Sequence, residues 1–198
     1  MPDFEFDEED HVYTLDGVVL PSVTQILTAL GFIDPRWFTE VACIRGDKVH
    51  KACSILETTG GVNWDGLKAI EDQLGTPIVG FVRGYERFKR ETGWLSNRTE
   101  YPRYYRGGLY AGTPDGEGRF PSSKKEEGLE LKTGVVLPWH ELQKDGYVGL
   151  TKILKWNSVM LKEDGDFELM TPTEIMAGRY FLTLAEAYKT GRKHGRHN

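Results

Sequence analysis

With 198 residues, 39% of them hydrophobic and 12% aromatic, the chain has the composition of an ordinary globular protein and enough apolar side chains for one packed domain over 1–198. Its 25 Lys and Arg against 30 Asp and Glu give a formal charge of −5, which excludes a uniformly basic nucleic-acid binder and leaves any polyanion contact to local clusters. The two cysteines form no CxxC pair, excluding a disulfide framework, and no apolar run approaches the ~20 residues of a membrane span, so a reduced, intracellular protein without a membrane partner is expected.

The acidic opening MPDFEFDEED lacks the basic-then-apolar pattern of a leader. In HVYTLDGVVL two β-branched runs flank Asp16-Gly17, a hairpin signal. Ser22 followed three residues later by Gln25 is a capping box, which starts a short helix ending at Gly31. A longer helix is predicted from Pro35 over 35–57, with Trp37, Phe38, Val41, Ile44, Val49, Ala52 and Ile55 at three- and four-residue spacings. Gly46 inside it costs ~1 kcal/mol relative to alanine, so it either admits another backbone or marks a break. His50 lies four residues further on, and taken alone it reads as a polar surface or hydrogen-bonded histidine.

Helices over 64–74 and 76–92 follow, the second with Ile78, Phe81, Val82, Tyr85 and Phe88 on one side. Arg98 to Tyr105 reads as a strand that carries Glu100 toward the next turn, where Glu100 serves equally well as a cross-strand partner of Arg98 or Arg103. After Gly107-Gly108 the chain gives a turn and strand to Phe120, a polar loop to Gly128, and a strand from Leu129 to Val136. Pro138 at a first helical position opens a helix that puts Gln143 and Tyr147 on one face. A hairpin pairs Val159–Leu161 with Phe167–Met170, and a last helix from about Thr173 carries Ile175, Met176, Tyr180, Phe181 and Leu184 as core. The end of the chain is basic through Lys189, Arg192, Lys193 and Arg196, a composition that also fits a plain solvated terminus. The expected layout is 11–93 as a hairpin and helical portion, 94–171 as a sheet core, and 172–198 as a C-terminal helix and basic tail.

The stretch Tyr110 to Gly134 carries the chemistry. Asp115 follows a Gly-Thr-Pro turn, and Glu130-Leu131-Lys132 falls in a strand, so Glu130 and Lys132 share one face while Leu131 points to the other. If the turn brings Asp115 beside them, two carboxylates face a hard divalent cation and a lysine stands ready to hold a water. Each element has a bland alternative: Asp115 is a good turn residue, and Glu130 with Lys132 fits a solvated strand face.

Taken together, GTPD, LELKTG and the helix with Gln143 and Tyr147 resemble the PD-(D/E)XK nuclease superfamily, in particular its RecB-like and phage exonuclease branch. The upstream RGDKVHKAC resembles that branch's helical RGxxxH segment and gives His50 a place in the pattern. The resemblance spans Arg45 to Tyr147, and any single element is weak; their order is specific. It implies an α/β fold with a restriction-endonuclease-like core, a central mixed β-sheet flanked by helices, and an N-terminal helical portion. It implies Mg2+ or Mn2+ held by His50, Asp115, Glu130 and the backbone carbonyl of Leu131. Asp115, Glu130, Lys132 and Gln143 are the implied catalytic residues; Tyr147, Arg45 and Arg119 are the expected DNA contacts, and Glu100 is a further site candidate.

The activity so implied is that of a metal-dependent deoxyribonuclease, an exonuclease in DNA processing or recombination, encoded by a bacterium or phage and acting on DNA in the cytoplasm. A homo-oligomer or a phage recombination partner fits that role. Cys43 and Cys53 cannot supply the four thiolates of an iron–sulfur cluster, and no GxxxxGK[ST] run supports a nucleotide cofactor. A structure-specific endonuclease and a non-cleaving DNA-binding or assembly factor on the same fold are the alternatives.

Overall fold

In the computed structural model, which describes residues 2–34, 36, 38–170, 173–174 and 178–194, the chain opens as an antiparallel meander. Its strands are β1 (Phe4–Asp7), β2 (Val12–Leu15) and β3 (Val18–Leu20). Asp16 (φ 51°) and Gly17 (φ 74°) both adopt the left-handed backbone of a two-residue turn matched to strand twist, so the predicted hairpin is present. The acidic run hides β1 in the sequence pattern; Phe4 and Phe6 stack on Tyr13, and that apolar face outweighs the charge. The capping box is formed in both directions: Ser22 Oγ accepts from Gln25 N and Gln25 Oε1 accepts from Ser22 N, starting α1 (Val23–Ala29).

Helix α2 (Glu40–Thr59) begins later and ends later than 35–57, because Thr39 supplies its N-cap and Gly60 its left-handed terminus. Pro35 and Trp37 lie outside the described residues. Gly46 neither breaks α2 nor admits another backbone, since the helix runs through it and a Cβ there would meet nothing within 4 Å. α3 (Trp64–Leu74) and α4 (Val79–Thr92) follow the pattern, with Phe81, Val82, Tyr85 and Phe88 buried.

The remaining elements are β4 (Leu95–Thr99), β5 (Arg103–Tyr104), β6 (Ala111–Gly112), β7 (Gly116–Arg119), β8 (Glu127–Lys132), α5 (Trp139–Thr151), β9 (Lys155–Leu161), β10 (Phe167–Leu169), β11 (Thr173–Glu174) and α6 (Arg179–His194). The central sheet has the order β10-β9-β8-β7-β4, with β11 also on β9. β8 and β9 run parallel with α5 as their crossover, and the other pairs are antiparallel, so the sheet is mixed as expected. One face packs on α2 and α4 through Leu129, Leu131 and Val159; the other packs on α1, α5 and α6 around Trp156. Full burial of a side chain such as Leu129 or Phe88 contributes ~1.5–3 kcal/mol. Gly128 is the position that lets Trp156 cross β8, because a Cβ there would come within 2.3 Å of the indole.

Several boundaries depart from the sequence reading: α4 starts at Val79 rather than 76, β8 at Glu127 rather than Leu129 and β9 at Lys155 rather than Val159, and four more have identifiable causes. β8 ends at Lys132 rather than Val136: its ladder to β7 reaches only Leu129 and that to β9 only Lys132, so no neighbour receives Thr133 onward and Val135 is exposed. β4 ends at Thr99, and Glu100, expected on a strand, takes a left-handed backbone (φ 45°). Pro138 is the N-cap of α5 instead of its first helical residue. α6 starts at Arg179, not near Thr173, because Thr173 and Glu174 pair with β9 and Asp145 Oδ2 accepts from Phe181 N at 2.7 Å in the first helical turn. Ile175, Met176 and residues 195–198 of the basic tail lie outside the described residues.

Candidate active site and metal centre

The turn before β7 carries Asp115 to the end of the β7–β8 ladder. There Asp115 Oδ2 accepts from the Leu131 amide at 2.7 Å, which orients the carboxylate and leaves Oδ1 facing α2. Thr99 Oγ1 and the Glu100 amide both donate to the Asp115 carbonyl, at 3.0 and 3.2 Å, so the backbone is held as well. On α2, His50 turns its Nδ1 to 3.2 Å from Asp115 Oδ1 and 3.6 Å from Glu100 Oε1. Donor atoms of His50, Glu100 and Asp115 all lie within 4.8 Å of one another.

On β8, Glu130 and Lys132 do share a face, as strand alternation requires, and Lys132 Nζ donates to Glu130 Oε1 at 2.5 Å. Lys132 Nζ also lies 3.3 Å from Gln143 Oε1, and Gln143 Nε2 donates to the Tyr147 hydroxyl at 3.0 Å. The i,i+4 spacing on α5 thus extends a hydrogen-bonded chain from Glu130 to Tyr147. Glu130 is buried and, among the described residues, its Oε2 has no partner. A cleft of about 770 Å³ is walled by His50, Glu100, Asp115, Gly46, Thr113 and Tyr147, whereas Glu130, Lys132 and Gln143 are not on its wall.

The fate of Glu100 is decided by its neighbours. Arg103 and Arg98 both turn to the buried Glu117 on β7, at 2.6 and 3.2 Å, and so leave Glu100 to His50. A left-handed non-glycine residue carries backbone strain, and here it directs a carboxylate into a charged cluster. Glu117 itself went unnoticed in the sequence; its signal was the alternation of acids in DGEGR, which puts Asp115 and Glu117 two residues apart. Glu127, buried beside Asn157 Nδ2 (2.8 Å) and Lys155 Nζ (3.0 Å), gave no signal of its role.

Not every expected residue reaches the site. Arg45 lies over the Phe81 ring at 5.3 Å and donates to the Thr133 carbonyl at 3.2 Å, which braces the segment leaving β8. Arg119 sits at the end of β7 remote from Asp115. The Leu131 carbonyl leaves the strand on the same edge as the amide that binds Asp115, a position open to a ligand role.

Burial pushes the Glu130 carboxyl up to about 7, with Asp115 adding to burial and Lys132 opposing both. Burial alone would lower His50, but Asp115 and then Glu100 outweigh it and hold the imidazole well above its ordinary value. Asp115 stays below the usual carboxylate range in spite of burial, through His50, Lys132 and the Leu131 amide; burial raises Glu100. His50 is therefore an imidazolium set between two carboxylates. The donor set fits a divalent cation, since carboxylate oxygens and an imidazole converge and, among the described residues, a buried Glu130 oxygen lacks a partner; a cation bound there would replace the proton on His50, which ligates only as the neutral imidazole. His140, buried near Lys132 and Lys144, is lowered to about 3 and stays neutral, its Nδ1 accepting from Leu137 N at 2.9 Å.

No protein-family model and no curated protein matches the chain. Solved structures do. LHK-Exo in complex with dAMP is 14% identical and superposes with a TM-score of 0.50 over 89% of each chain. The same alkaline exonuclease from Laribacter hongkongensis, in another crystal structure, gives 14% identity, 88% of each chain and a TM-score of 0.48. A protein named SSO0001 is 17% identical over 85% of this chain and 83% of its own, with a TM-score of 0.40. At such identities a likeness speaks for the fold, and it is the dAMP complex that carries it. The chain shares the fold of that exonuclease, a mixed sheet between helices.

Proposed function

We propose that this protein is a metal-dependent DNA nuclease, an exonuclease that hydrolyses phosphodiester bonds at DNA ends during processing or recombination. The observation that carries the reading is the meeting of two groups at the end of the β7–β8 ladder: the His50, Glu100 and Asp115 donors, and the Glu130–Lys132–Gln143 hydrogen-bonded chain.

In this reading Asp115, His50, Glu130 and the Leu131 carbonyl hold Mg2+ or Mn2+, and Glu100 is a further ligand. The cation supplies positive charge to the non-bridging phosphate oxygens and acidifies a bound water. The protein's own groups do the rest. The Leu131 amide fixes the Asp115 carboxylate, so that one oxygen stays on the cleft side. Lys132, donating to Glu130, orients the attacking water and offsets charge as it develops on the phosphate. Gln143 holds the Lys132 ammonium, and Tyr147 holds Gln143. Of the expected DNA contacts Tyr147 borders the cleft and keeps that role in this reading, whereas Arg45 braces the Thr133 carbonyl and Arg119 lies at the far end of β7. A second copy of the chain or a recombination protein of the same phage or bacterium is the partner class this role calls for, in the cytoplasm.

The test is a digest of end-labelled linear DNA beside a covalently closed circle, with Mg2+ and with Mn2+. Loss of label from the linear substrate alone, abolished by Asp115→Ala and by Lys132→Ala with the fold retained, supports an exonuclease. Cutting of the circle assigns an endonuclease instead. Binding of DNA without any cutting would mean that the fold serves assembly.

A further inference from the structure

Beside the cleft lies a separate apolar pocket of about 370 Å³, walled by Phe32, Phe38, Leu137, Pro138, Trp139 and Leu142. Two of its three aromatic members are open to solvent, Phe32 at 46% and Phe38 at 42% exposed, and Trp139 is half-buried. The pocket is continuous with the candidate site in two ways. Phe38 lines both the pocket and the cleft that holds His50 and Asp115. Trp139, whose ring centre is 6.1 Å from that of Phe38, also lies 5.9 Å from Lys132 Nζ. One polar residue completes the lining: Asp34, both of whose carboxylate oxygens accept from Arg36 outside the pocket, Oδ1 from Nε at 2.9 Å and Oδ2 from Nη2 at 2.5 Å.

We propose that this pocket receives one unstacked nucleobase of the strand being cut, next to the scissile phosphate. The proposal rests on the nuclease reading above and adds to it a base site. The volume lies at the small end of ligand pockets and suits a single planar ring system. Phe32, Phe38 and Trp139 offer π-faces, which accept any base. The occupant is a base rather than an apolar side chain of another protein, because the slot meets the candidate cleft at Phe38 and its Trp139 lies 5.9 Å from the lysine assigned to phosphate chemistry. A strand whose phosphate lies at Lys132 carries its neighbouring base to Trp139.

The test couples protein and substrate. Phe32→Ala and Phe38→Ala, each checked for retained fold by circular dichroism, are assayed with Mn2+ on labelled oligonucleotides that carry one abasic residue scanned through the positions flanking the cut. Anisotropy measures binding of the same oligonucleotides. Loss of the base at one position is expected to weaken binding and kcat/KM of the wild-type protein by roughly 5- to 150-fold. Each variant is expected to lose a similar factor on the intact strand and nothing further on the abasic one. Additive losses, or an equal response at every position, overturn the base pocket while the nuclease reading stands. A wild-type protein that neither binds nor cuts any oligonucleotide overturns both.

Discussion

On the α5 side of the site, Glu130, Lys132, Gln143 and Tyr147 form one hydrogen-bonded chain, and Lys132 keeps only 15% of its side chain exposed. On the α2 side, His50 and Glu100 keep 27% and 31% of theirs exposed and meet Asp115 in a charged cluster. The first region is fixed by elements whose register leaves little choice, a central strand and the helix that follows it. The second gathers negative charge that a protonated histidine balances. Geometry is thus built into one half, while the other stores an electrostatic demand that a cation can meet better than a proton. If that contrast is right, substitutions in the two halves should differ in what they change: turnover in the first, metal affinity and pH dependence in the second.

The largest effect is expected where the halves meet. Asp115→Ala removes the carboxylate that touches both Leu131 and His50, and Lys132→Ala removes the ammonium at the centre of the chain. Each should lower the rate of DNA digestion by on the order of 10³-fold while melting stays cooperative. Rates near wild type in either variant would remove the site from the chemistry.

The next effect separates the halves through pH. Glu130 titrates at about 7 in the folded protein against an ordinary 4.5, so the folded state binds its proton more tightly than the unfolded chain. The stability this provides is complete below pH 4.5 and is lost as pH rises through 7, on the order of 3 kcal/mol in all. His50, raised well above its ordinary value, acts in the same sense and with Glu130 outweighs His140, which is lowered to about 3 and opposes them below pH 6.5; Asp115, lowered, is already ionised across this window. Metal-free protein should therefore be less stable to urea at pH 8 than at pH 5, and saturating Mn2+ should restore most of the difference. Glu130→Gln should flatten the metal-free profile, and an unchanged slope in that variant would refute the assignment.

Glu100→Gln is expected to be milder. The carboxamide keeps the shape but removes one charge from the cluster, so metal affinity should weaken by roughly 10-fold, with turnover at saturating metal little changed. Isothermal titration with Mn2+ reads the first quantity and a metal titration of activity reads the second. A fall in turnover with unaltered affinity would move Glu100 out of the metal half.

How far the site could be read from sequence follows the same division. Glu130 with Lys132, and Gln143 with Tyr147, are neighbours along one strand or one helix, so the periods of two and of 3.6 place them without knowledge of the fold. His50 and Asp115 are far apart in sequence, and the pattern reaches them only through resemblance to a known order of motifs. Glu100 shows the limit. Its role depends on Arg98 and Arg103 preferring Glu117, and on a left-handed turn that strand-like composition does not reveal. The same limit hides β11, where Thr173 and Glu174 pair with β9 although the sequence there reads as the start of a helix.

The smallest expected effect bears on Tyr147, which belongs to both regions: its hydroxyl accepts from Gln143, yet its ring reaches the cleft wall. Tyr147→Phe keeps the ring against Trp156 and removes only the oxygen. A buried amide donor then loses its partner, at a cost of about 1 kcal/mol in stability. If Tyr147 serves the buried chain, Gln143 is freed to rotate, the Lys132 ammonium loses a fixed acceptor part of the time, and kcat should fall a few-fold, on the order of 3-fold, with KM unchanged. If Tyr147 serves the cleft as a DNA contact through its hydroxyl, KM should rise and kcat should stay. Steady-state kinetics on linear DNA separates the two, and a rise in KM alone would shift Tyr147 from the buried half of the site to the exposed one.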